Sequence, residues 1–463
     1  MPKVNLDDTI VALATPPGEG GIAVIRVSGK QAFSLIQPLF HGSSSQPLTE
    51  QATHTIHHGF LMDGKGEPVD EVLVSLFRSP RSFTGEDVIE INCHGGIHLT
   101  KRILEILIRA GARPAEPGEF TKRAFLNGKM DLTQAEAVLD LIRARSEASL
   151  ETALHQLRGN LSKKIKRLKE MLLEITAHLE ASLDFPDERL EVYSRGECLK
   201  KMNEIEKEIC ALIGSFKRGL VMREGLLAVI IGRPNVGKSS LLNTLLERDR
   251  ALVSPFPGTT RDSLEETIEI GGFAVRLVDT AGLSLSSKDE LDQLGISRTR
   301  AYLKEDALFL LVVDNSSAWT TEDEAIFREM DKKNFLVLVN KSDLPQKLDA
   351  KELSMRIPPE KLCFISCLTG RGIPDLEKCI QTRLIQSGMA AESLTLTRLR
   401  HKLILEKALE MLMQSRKTLE DRESAEFVLL DLKTALESLR EFIGEIYSED
   451  LLDVIFQEFC IGK

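Results

Sequence analysis

The chain has 463 residues, 42% of them hydrophobic and 28% charged, a composition typical of folded globular domains rather than of disordered or fibrous chains. Its 60 Lys and Arg against 70 Asp and Glu give a net charge of −10, which excludes a generally basic nucleic-acid coat and limits any RNA contact to a local patch or a partner. Apolar runs such as 226–231 are too short to span a bilayer, and seven scattered Cys without a C-x-x-C pair fit a reducing compartment. We therefore expect a cytoplasmic protein without membrane contact, built from about three domains.

Residues 1–120 form the first zone, in which short β-rich runs are separated by Gly and Pro. The runs predicted as strands are residues 9–13, 21–27, 71–77 and 87–92. Helical periodicity is found at residues 31–40 and 98–110. This mixture predicts an N-terminal domain of the α/β class.

Residues 121–218 form a helical zone. Two capping-box sequences, Thr133 to Glu136 and Ser194 to Glu197, predict helix starts, because a hydroxyl and a carboxylate at this spacing satisfy amides of the first turn. Between them, apolar residues recur in steps of four and three, at Leu161, Ile165, Leu168, Leu172, Ile175 and Leu179. This spacing predicts a long helix with a coiled-coil-like seam.

Strands and helices alternate over residues 219–383, which predicts a doubly wound, mostly parallel sheet. In residues 384–463 the helical pattern returns. The four-three step is repeated there at Val428, Leu432, Ala435, Leu439 and Phe442, before Gly444. The simplest organisation is one discontinuous all-helical domain, residues 121–218 and 384–463, interrupted by a self-contained α/β domain.

A phosphate-binding loop opens the α/β domain. Residues 232–239 fit G-x-x-x-x-G-K-S, directly after the apolar run 226–231 and before a helical run. The glycines allow successive backbone N–H groups to point at phosphate, at a helix N-terminus that favours negative charge. Lys238 is expected to contact the β- and γ-phosphates and the Ser239 hydroxyl to ligate Mg²⁺.

Polar residues at the ends of later strands predict the base and the metal contacts. Asp279 ends one strand and is placed to hold Mg²⁺ through water. Asp343, in the sequence Asn-Lys-Ser-Asp, can accept two donors from guanine, whereas adenine presents the wrong pattern, so GTP is favoured over ATP. Ser366 and its neighbours follow the last strand and can contact the base from the other side.

A threonine between the phosphate loop and the second strand, Thr260, is expected to close on Mg²⁺ when the γ-phosphate is present. With these elements in order, the domain resembles the Ras-like G domain of small translation-factor-like GTPases. The candidate GTP-binding residues are Asn235, Val236, Gly237, Lys238, Ser239, Ser240, Ser254, Pro255, Phe256, Pro257, Gly258, Thr259, Thr260, Asp279, Thr280, Ala281, Gly282, Asn340, Lys341, Asp343, Ser366, Cys367 and Leu368.

The domain departs from Ras-type enzymes where water is oriented for hydrolysis. Leu283 occupies the position of the water-orienting Gln, and no intrinsic arginine finger is evident, which leaves Arg261 as an open alternative. Asn235 lies where GTPases of the TrmE–Era-like group bind K⁺, which can neutralise charge between the phosphates. The alternative for Asn235 is a role in loop packing.

Segments outside the G domain carry a wider resemblance. Residues 8–29, 82–96, 117–129 and the terminal Cys-Ile-Gly-Lys, together with the split helical domain, resemble the MnmE/TrmE family of tRNA-modification GTPases over essentially the whole chain. The resemblance implies a tetrahydrofolate-binding-like N-terminal domain that forms a homodimer, and a folate one-carbon donor (5-formyl- or methylene-tetrahydrofolate). It also implies a heterotetramer with the FAD-dependent MnmG (GidA) protein, which adds a carboxymethylaminomethyl-type group to carbon 5 of the tRNA wobble uridine in a reaction coupled to K⁺-dependent GTP hydrolysis.

The resemblance also assigns site residues. The folate contacts correspond to Arg26, Glu90, Lys129 and Lys463, where Arg and Lys can pair with folate carboxylates and Glu can accept from the pterin edge. The alternative is that these are ordinary surface charges. The potassium ligands correspond to Asn235, Ser254, Phe256 and Thr259, and Phe256 could act only through its carbonyl.

Two residues are candidates for catalysis. Asp292 occupies the position of a family Glu that assists hydrolysis through water, and it is one methylene shorter. Cys460 is implicated by the resemblance in modification chemistry, for which a thiolate would have to be stabilised by neighbours such as Lys463. The alternative for Cys460 is a small packing residue.

Other residues fit simpler interpretations. His54, His57 and His58 lack the Cys or carboxylate cluster of a metal site, and Cys93 and His94 would point to opposite faces of a strand. The basic stretch Lys163, Lys164, Lys166, Arg167 and Lys169 fits either a tRNA contact or a solvated helix face. The competing function is a regulatory Era/Der-type GTPase of ribosome assembly, which would lack both the folate-like domain and the Cys460–Lys463 tail.

Overall fold

We analysed a computed structural model that describes residues 8–43, 46–184, 193–252, 265–279, 307–330, 333–386 and 394–463. The chain divides into two compact units. The first contains Met1–Leu139, Gln156–Ile205 and Lys407–Lys463, and the second contains Asp140–His155 and Glu206–Glu406. The predicted multidomain architecture, α/β combined with helical regions, is confirmed, whereas the boundaries at residues 120, 218 and 383 stay predictions.

Fourteen helices are described within these ranges. In chain order they are α1 (Ala32–Ile36), α2 (Ile97–Arg109), α3 (Glu119–Leu126), α4 (Leu132–Arg143), α5 (Glu147–Leu157), α6 (Asn160–Asp184), α7 (Arg195–Glu224), α8 (Lys238–Leu252), α9 (Thr321–Glu329), α10 (Ala350–Arg356), α11 (Ile373–Leu384), α12 (Leu399–Glu420), α13 (Ala425–Ile443) and α14 (Glu449–Gln457). Among the residues described, no helix combines the length and apolarity needed to cross a lipid bilayer.

The first unit contains a seven-stranded sheet. Its strands are β1 (Ile10–Leu13), β2 (Ala23–Ser28), β3 (Phe40–Gly42), β4 (Thr55–Met62), β5 (Pro68–Phe77), β6 (Val88–Cys93) and β7 (Arg113–Pro114). The order is β3-β4-β5-β6-β2-β1-β7, and every neighbouring pair is antiparallel except β1 and β7. Alternate strand residues such as Ile25 and Ile89 point to the same face of the sheet, as the period of two along a strand requires. On that face they form one core with residues of α2 such as Leu107.

Four of these strands agree with the predicted runs, whereas β3, β4 and β7 were not predicted. In β4 the residues that face outwards include Ile56 and Phe60, both well exposed, while Gly59 faces inwards. The usual alternation of apolar residues inwards and polar residues outwards is therefore broken over this part of β4, although the next inward residue, Leu61, is buried. This irregular pattern explains why the strand was missed. The helix predicted over 31–40 is shorter, because Pro38 cannot continue it and a 3₁₀ turn follows α1.

The long helical seam is confirmed within the first unit. The six apolar residues predicted to form the seam are all buried on α6. Helix α6 contacts α13, whose own four-three residues are buried as well. Gly444 then ends α13 in the left-handed conformation with φ of 80°, where glycine is favoured.

One predicted helix start is wrong and one is confirmed. The reciprocal cap of α4 is formed by Asp131 and Gln134: the Gln134 N–H donates to Asp131 Oδ1 at 3.1 Å, and the Asp131 N–H donates to Gln134 Oε1 at 3.0 Å. Thr133 lies inside the helix, where its hydroxyl donates to Asp131 Oδ1 at 2.6 Å. The box at Ser194 and Glu197 is present as predicted, with both reciprocal hydrogen bonds.

The second unit contains a six-stranded sheet. Its strands are β8 (Leu226–Ile231), β9 (Glu265–Ile270), β10 (Phe273–Asp279), β11 (Leu308–Asp314), β12 (Asn334–Asn340) and β13 (Leu362–Phe364). The order is β13-β12-β11-β8-β10-β9, parallel except for β9. Because the parallel strands end at one edge, the phosphate loop, Asp279, Asp314 and Asn340 follow or end strands at that same edge.

Candidate functional site

The phosphate loop links β8 to α8, which begins at Lys238. Its backbone requires glycine at two points. A Cβ added at Gly232 would lie 2.4 Å from the Val312 carbonyl oxygen, and one added at Gly237 would lie 2.3 Å from Asn340 Nδ2. Asn235 adopts φ of 62°, a left-handed conformation that Asn tolerates better than most residues. The loop therefore needs the small residues that the motif supplies.

Lys238 places a positive charge inside this loop. Its side chain is buried, and Nζ donates to the carbonyl oxygens of Gly232 at 2.9 Å and Arg233 at 3.0 Å. Burial lowers the pKa of Lys238, and the negative charge of Asp279 opposes that shift. The group is thus held within the loop that presents its N–H groups to phosphate.

Asn340 joins the phosphate loop to the base-binding loop. Its Nδ2 donates to the Val236 carbonyl oxygen at 2.8 Å, and its Oδ1 accepts the Cys367 N–H at 3.2 Å. Lys341 makes a parallel link, with Nζ donating to the Asn235 carbonyl oxygen at 3.0 Å and to Asp314 Oδ2 at 2.6 Å. One short segment therefore fixes both ends of the nucleotide site.

Asp314 is a site residue that the sequence reasoning missed. It ends β11, and its carboxylate also accepts the Ser316 N–H and hydroxyl at 2.8 and 2.7 Å. Although burial opposes ionisation, the hydrogen bonds from Lys341 and Ser316 lower the pKa of Asp314. Its position as a carboxylate at the carboxyl end of a parallel strand was a signal that could have identified it.

The residues predicted to bind the base surround a cavity of about 360 Å³. Its lining includes Lys341, Asp343, Leu344, Cys367 and Leu368. The Ser366 hydroxyl donates to Asp343 Oδ1 at 2.5 Å and orients that carboxylate. Burial raises the pKa of the Cys367 thiol to about 11, so the thiol is neutral at physiological pH. The cavity offers one oriented carboxylate beside apolar side chains, the combination that recognises the donor edge of a guanine.

Part of the predicted nucleotide site lies outside the described residues. The assignments concerned are Ser254, Pro255, Phe256, Pro257, Gly258, Thr259, Thr260, Thr280, Ala281, Gly282 and Asp292, together with Arg261 and Leu283. Of the potassium ligands, only Asn235 is described. Its side chain is exposed, while its carbonyl is engaged by Lys341.

Two of the folate candidates bind each other in the first unit. Arg26 and Glu90 are register partners on β2 and β6, and Arg26 Nη2 and Nε lie 2.8 and 2.9 Å from Glu90 Oε1. The guanidinium lies near two aromatic rings, with its carbon 5.4 Å from the Phe83 centroid and 5.6 Å from the Phe120 centroid. Sequence reasoning did not single out either Phe. This arrangement combines a charged pair with the exposed ring of Phe83, while the Phe120 ring is buried.

The C-terminal tail lies beside the same residues. The Phe120 N–H donates to the Lys463 carbonyl oxygen at 3.1 Å, and the Gly118 N–H donates to the Cys460 carbonyl oxygen at 3.4 Å. Gly462, with φ of 95°, lies so close to β1 that a Cβ would be 2.2 Å from the Leu13 carbonyl oxygen. The tail is therefore fixed through its backbone next to Phe120.

Lys129 and Cys460 complete the predicted residues of this region. Lys129 is exposed, and its Nζ donates to the Pro80 carbonyl oxygen at 2.9 Å, in the segment that also carries Phe83. The Cys460 thiol is exposed rather than packed in the core. The structure thus brings the tail to the backbone of Gly118 and Phe120, and it places Lys129 against the segment that carries Pro80.

A buried ionic cluster, which sequence reasoning missed, supports this region. The fully buried Arg123 of α3 bonds to Glu119 Oε1 at 2.9 Å, to Asp8 Oδ1 at 2.7 Å and to Glu86 Oε1 at 3.2 Å. Burial raises the pKa of Glu119, but hydrogen bonds from Arg113, the Glu116 N–H and Arg123 outweigh it, so the net shift is downwards. The i,i+4 spacing of Glu119 and Arg123 was the available signal.

The remaining candidates have ordinary partners. His94 pairs with Asp70 at 2.8 Å, while the Cys93 thiol is buried, so the two form no dyad. Within the described ranges, no group of three or more His, Cys, Asp or Glu could hold a metal ion. In the basic stretch of α6, Lys166 pairs with Asp131 at 3.6 Å and Lys169 with Glu445 at 2.5 Å.

Comparison with known families identifies the chain. The model described as the GTP-binding protein TrmE N-terminus matches residues 9–129, and the MnmE helical domain matches residues 132–460. The chain belongs to the MnmE family. The tRNA modification GTPase MnmE of Alkaliphilus metalliredigens is 43% identical over 99% of this chain and 100% of its own length, and that of Moorella thermoacetica is 46% identical over the same shares.

Solved structures give a narrower match to this MnmE-family chain. The G domain of the T. maritima FeoB iron transporter is 27% identical, and the match covers 34% of this chain and 97% of that domain with a TM-score of 0.27.

Proposed function

We propose that this MnmE-family chain is a GTP hydrolase that acts in tRNA modification. The observation that carries the proposal is the pair of hydrogen bonds through which Asn340 joins the phosphate loop to the base loop, beside an oriented Asp343 carboxylate. A loop for phosphates and a carboxylate for the purine are thereby held in one rigid arrangement. Such preorganisation is what selects GTP and positions its phosphates for attack by water.

Metal ions complete the hydrolytic site in this proposal. Ser239 and Thr260 hold Mg²⁺, and Asp279 acts through water. The exposed amide of Asn235 holds K⁺ together with Ser254, the Phe256 carbonyl and Thr259. These cations supply the neutralisation of phosphate charge that an arginine finger or a Gln-oriented water supplies in other GTPases. Leu283 cannot orient the attacking water. In this proposal the chain therefore contributes to hydrolysis by binding the cations and through Asp292, which assists hydrolysis through water.

The folate site supplies the one-carbon donor. Arg26, Glu90, Lys129 and Lys463 bind a tetrahydrofolate derivative, and the exposed ring of Phe83 beside Arg26 supports the proposal, because a flat heterocycle packs well against an aromatic face. The exposed thiol of Cys460 takes part in the transfer chemistry. A partner, the FAD-dependent MnmG, completes the addition of a carboxymethylaminomethyl-type group to the wobble uridine.

A homodimer through the first unit is part of the same proposal. Ile56, Phe60 and Leu73 are large apolar residues with exposed fractions of 67%, 45% and 46% on the outer face of β4 and β5. Exposed apolar residues that cluster on one sheet face are typical of a protein interface. A second copy of this chain covering that face would remove them from water.

The first experiment measures GTP turnover in potassium buffer against sodium buffer. We expect strong stimulation by potassium in the unaltered chain and its loss in Asn235→Gly, because the substitution removes the side-chain amide. Glycine tolerates the φ of 62° and keeps the carbonyl that binds Lys341, so the loop itself should be preserved. Nucleotide affinity should be retained in this variant. Equal rates in the two buffers would overturn the potassium assignment and leave Arg261, Asp292 or a partner group as the source of catalysis.

A further inference from the structure

A cleft with an excess of positive charge lies in the first unit, away from the residues proposed for folate. It has a volume of about 850 Å³ and is bordered by one face of α2 and by the turn between β4 and β5. Four cationic side chains, Lys65, Lys101, Arg102 and Arg109, line it against the carboxylates of Asp63 and Glu105.

Charge pairing leaves part of this excess uncompensated. Asp63 is already engaged, since Oδ1 accepts the N–H groups of Lys65 at 2.8 Å and Glu67 at 3.0 Å, and Oδ2 lies 3.6 Å from Arg102. Lys101 and Arg109 are exposed and have no hydrogen bond or ion pair to any residue that the structure describes. Two cations therefore face the cleft with their charges unpaired.

The lining also indicates the chemistry of the ligand. Pockets for small organic ligands are mostly apolar with a few polar groups, whereas most of the side chains here are charged. Lys101 and Arg109 are separated by eight residues of one helix, about 12 Å along its axis. Separated, unpaired cations along a groove suit a polymer with repeated phosphates better than a compact anion.

We propose that this cleft binds the phosphate backbone of tRNA, with Lys101 and Arg109 as the main contacts. The inference rests on the proposed function, because it locates the surface on which the modified RNA docks. In the basic stretch of α6, Lys166 and Lys169 pair with carboxylates, while Lys163 and Arg167 have no described partner, so that stretch is the competing surface against which the cleft is tested. Because the overall charge of the chain is negative, any contact with RNA must be made by a local cationic surface or by a partner, and the cleft is such a surface.

The test compares two charge-reversal variants of the full-length chain. The first is Lys101→Glu with Arg109→Glu, and the matched control is Lys163→Glu with Arg167→Glu on α6, two exposed residues without a described partner. Binding of a fluorescent unmodified tRNA transcript is measured by anisotropy at several salt concentrations. Both variants change the net charge equally, so a difference between them reports the location of the charge.

We expect the cleft variant to weaken tRNA binding at least tenfold and the control to change it less than threefold. The slope of log affinity against log salt should fall by about 1.4–1.8 in the cleft variant, since each lost phosphate contact contributes about 0.7–0.9. Potassium-stimulated GTP turnover should be unchanged in both, and a Lys101→Gln, Arg109→Gln variant should show an intermediate loss.

Several results would overturn the inference without touching the proposed function. One is equal loss in both variants, and another is a larger loss in the α6 control. A third is normal tRNA binding with loss of MnmG binding, which would make the cleft a protein-docking surface. Absence of tRNA binding by the unaltered chain would also reject the cleft, whereas only failure of GTP turnover or of modification with MnmG would reject the function itself.

Discussion

Replacing Asp343 by Asn tests the guanine assignment most directly. The Asn amide has the shape of the carboxylate, and its Oδ1 can still accept the hydrogen bond that Ser366 donates at 2.5 Å. The fold of the loop is therefore preserved. What changes is the other oxygen, which becomes an N–H donor and faces the exocyclic amine of guanine, itself a donor.

The magnitude follows from the two contacts affected. A hydrogen bond to a charged group contributes about 1.5–3 kcal/mol, so losing the charge assistance of both guanine contacts costs roughly 3–6 kcal/mol. At about 1.4 kcal/mol per factor of ten, kcat/KM for GTP should fall by about 10²- to 10⁴-fold. Xanthosine triphosphate carries a carbonyl in place of the amine, and the variant should use it better than GTP.

The assay is steady-state turnover of both nucleotides in potassium buffer, with Asp375→Asn as the matched control. Asp375 is an exposed residue of α11, and its substitution should leave both rates unchanged. A fall of less than tenfold for GTP, or no gain for xanthosine triphosphate, would show that Asp343 does not contact the base.

Further predictions concern the first unit. Gly462→Ala should displace the tail, because its Cβ would lie 2.2 Å from the Leu13 carbonyl oxygen at φ of 95°; tRNA modification should be lost while GTP turnover is retained, and normal modification would contradict the tail assignment. Arg123→Met should lower the free energy of unfolding in urea by about 1.5–3 kcal/mol, since Glu119 and Asp8 keep Arg113 as a partner but lose their hydrogen bonds to the buried Arg123 guanidinium; a loss below about 1 kcal/mol would refute that account. The lowered pKa values of Glu119 and Asp8 mean that their contribution is complete above the ordinary values of 4.5 and 3.8 and is lost as the pH falls through the lowered values. Acid unfolding should therefore begin below about pH 4.5, with a flatter pH profile in Glu119→Gln; an identical profile would contradict the prediction.

Local patterns determined the elements whose signals lie within a few neighbouring residues. The seam of α6 follows from the four-three spacing alone, and the Ser194 box from two residues. The phosphate loop was evident because its glycines, Lys238 and Ser239 are contiguous, and a glycine requirement such as that at Gly232 is tied to the motif itself. The class of the nucleotide-binding fold could therefore be predicted without coordinates.

Elements that depend on distant partners were missed. Strand β4 carries apolar residues on its exposed face, so the alternation of its residues did not indicate which face packs against the core. The cap of α4 is two residues earlier than predicted. Several polar residues near the start of α4 could form the N-cap, and the path by which the chain enters the helix selects one of them. Asp131 forms the cap, and the Thr133 hydroxyl donates to the Asp131 carboxylate instead.

Residue types and their spacing are enough to predict the kinds of chemistry available: a loop for phosphates, a carboxylate for a guanine, and separate cationic and acidic residues for folate. They do not predict which of these groups lie together in the folded chain. Strand register pairs Arg26 with Glu90, which are 64 positions apart in the sequence. The last four residues return to Phe120 and to Leu13, so the C-terminus lies beside the N-terminal strand β1. Hydrogen bonds and ion pairs act over a few ångströms, and the fold, not the spacing along the chain, sets those distances.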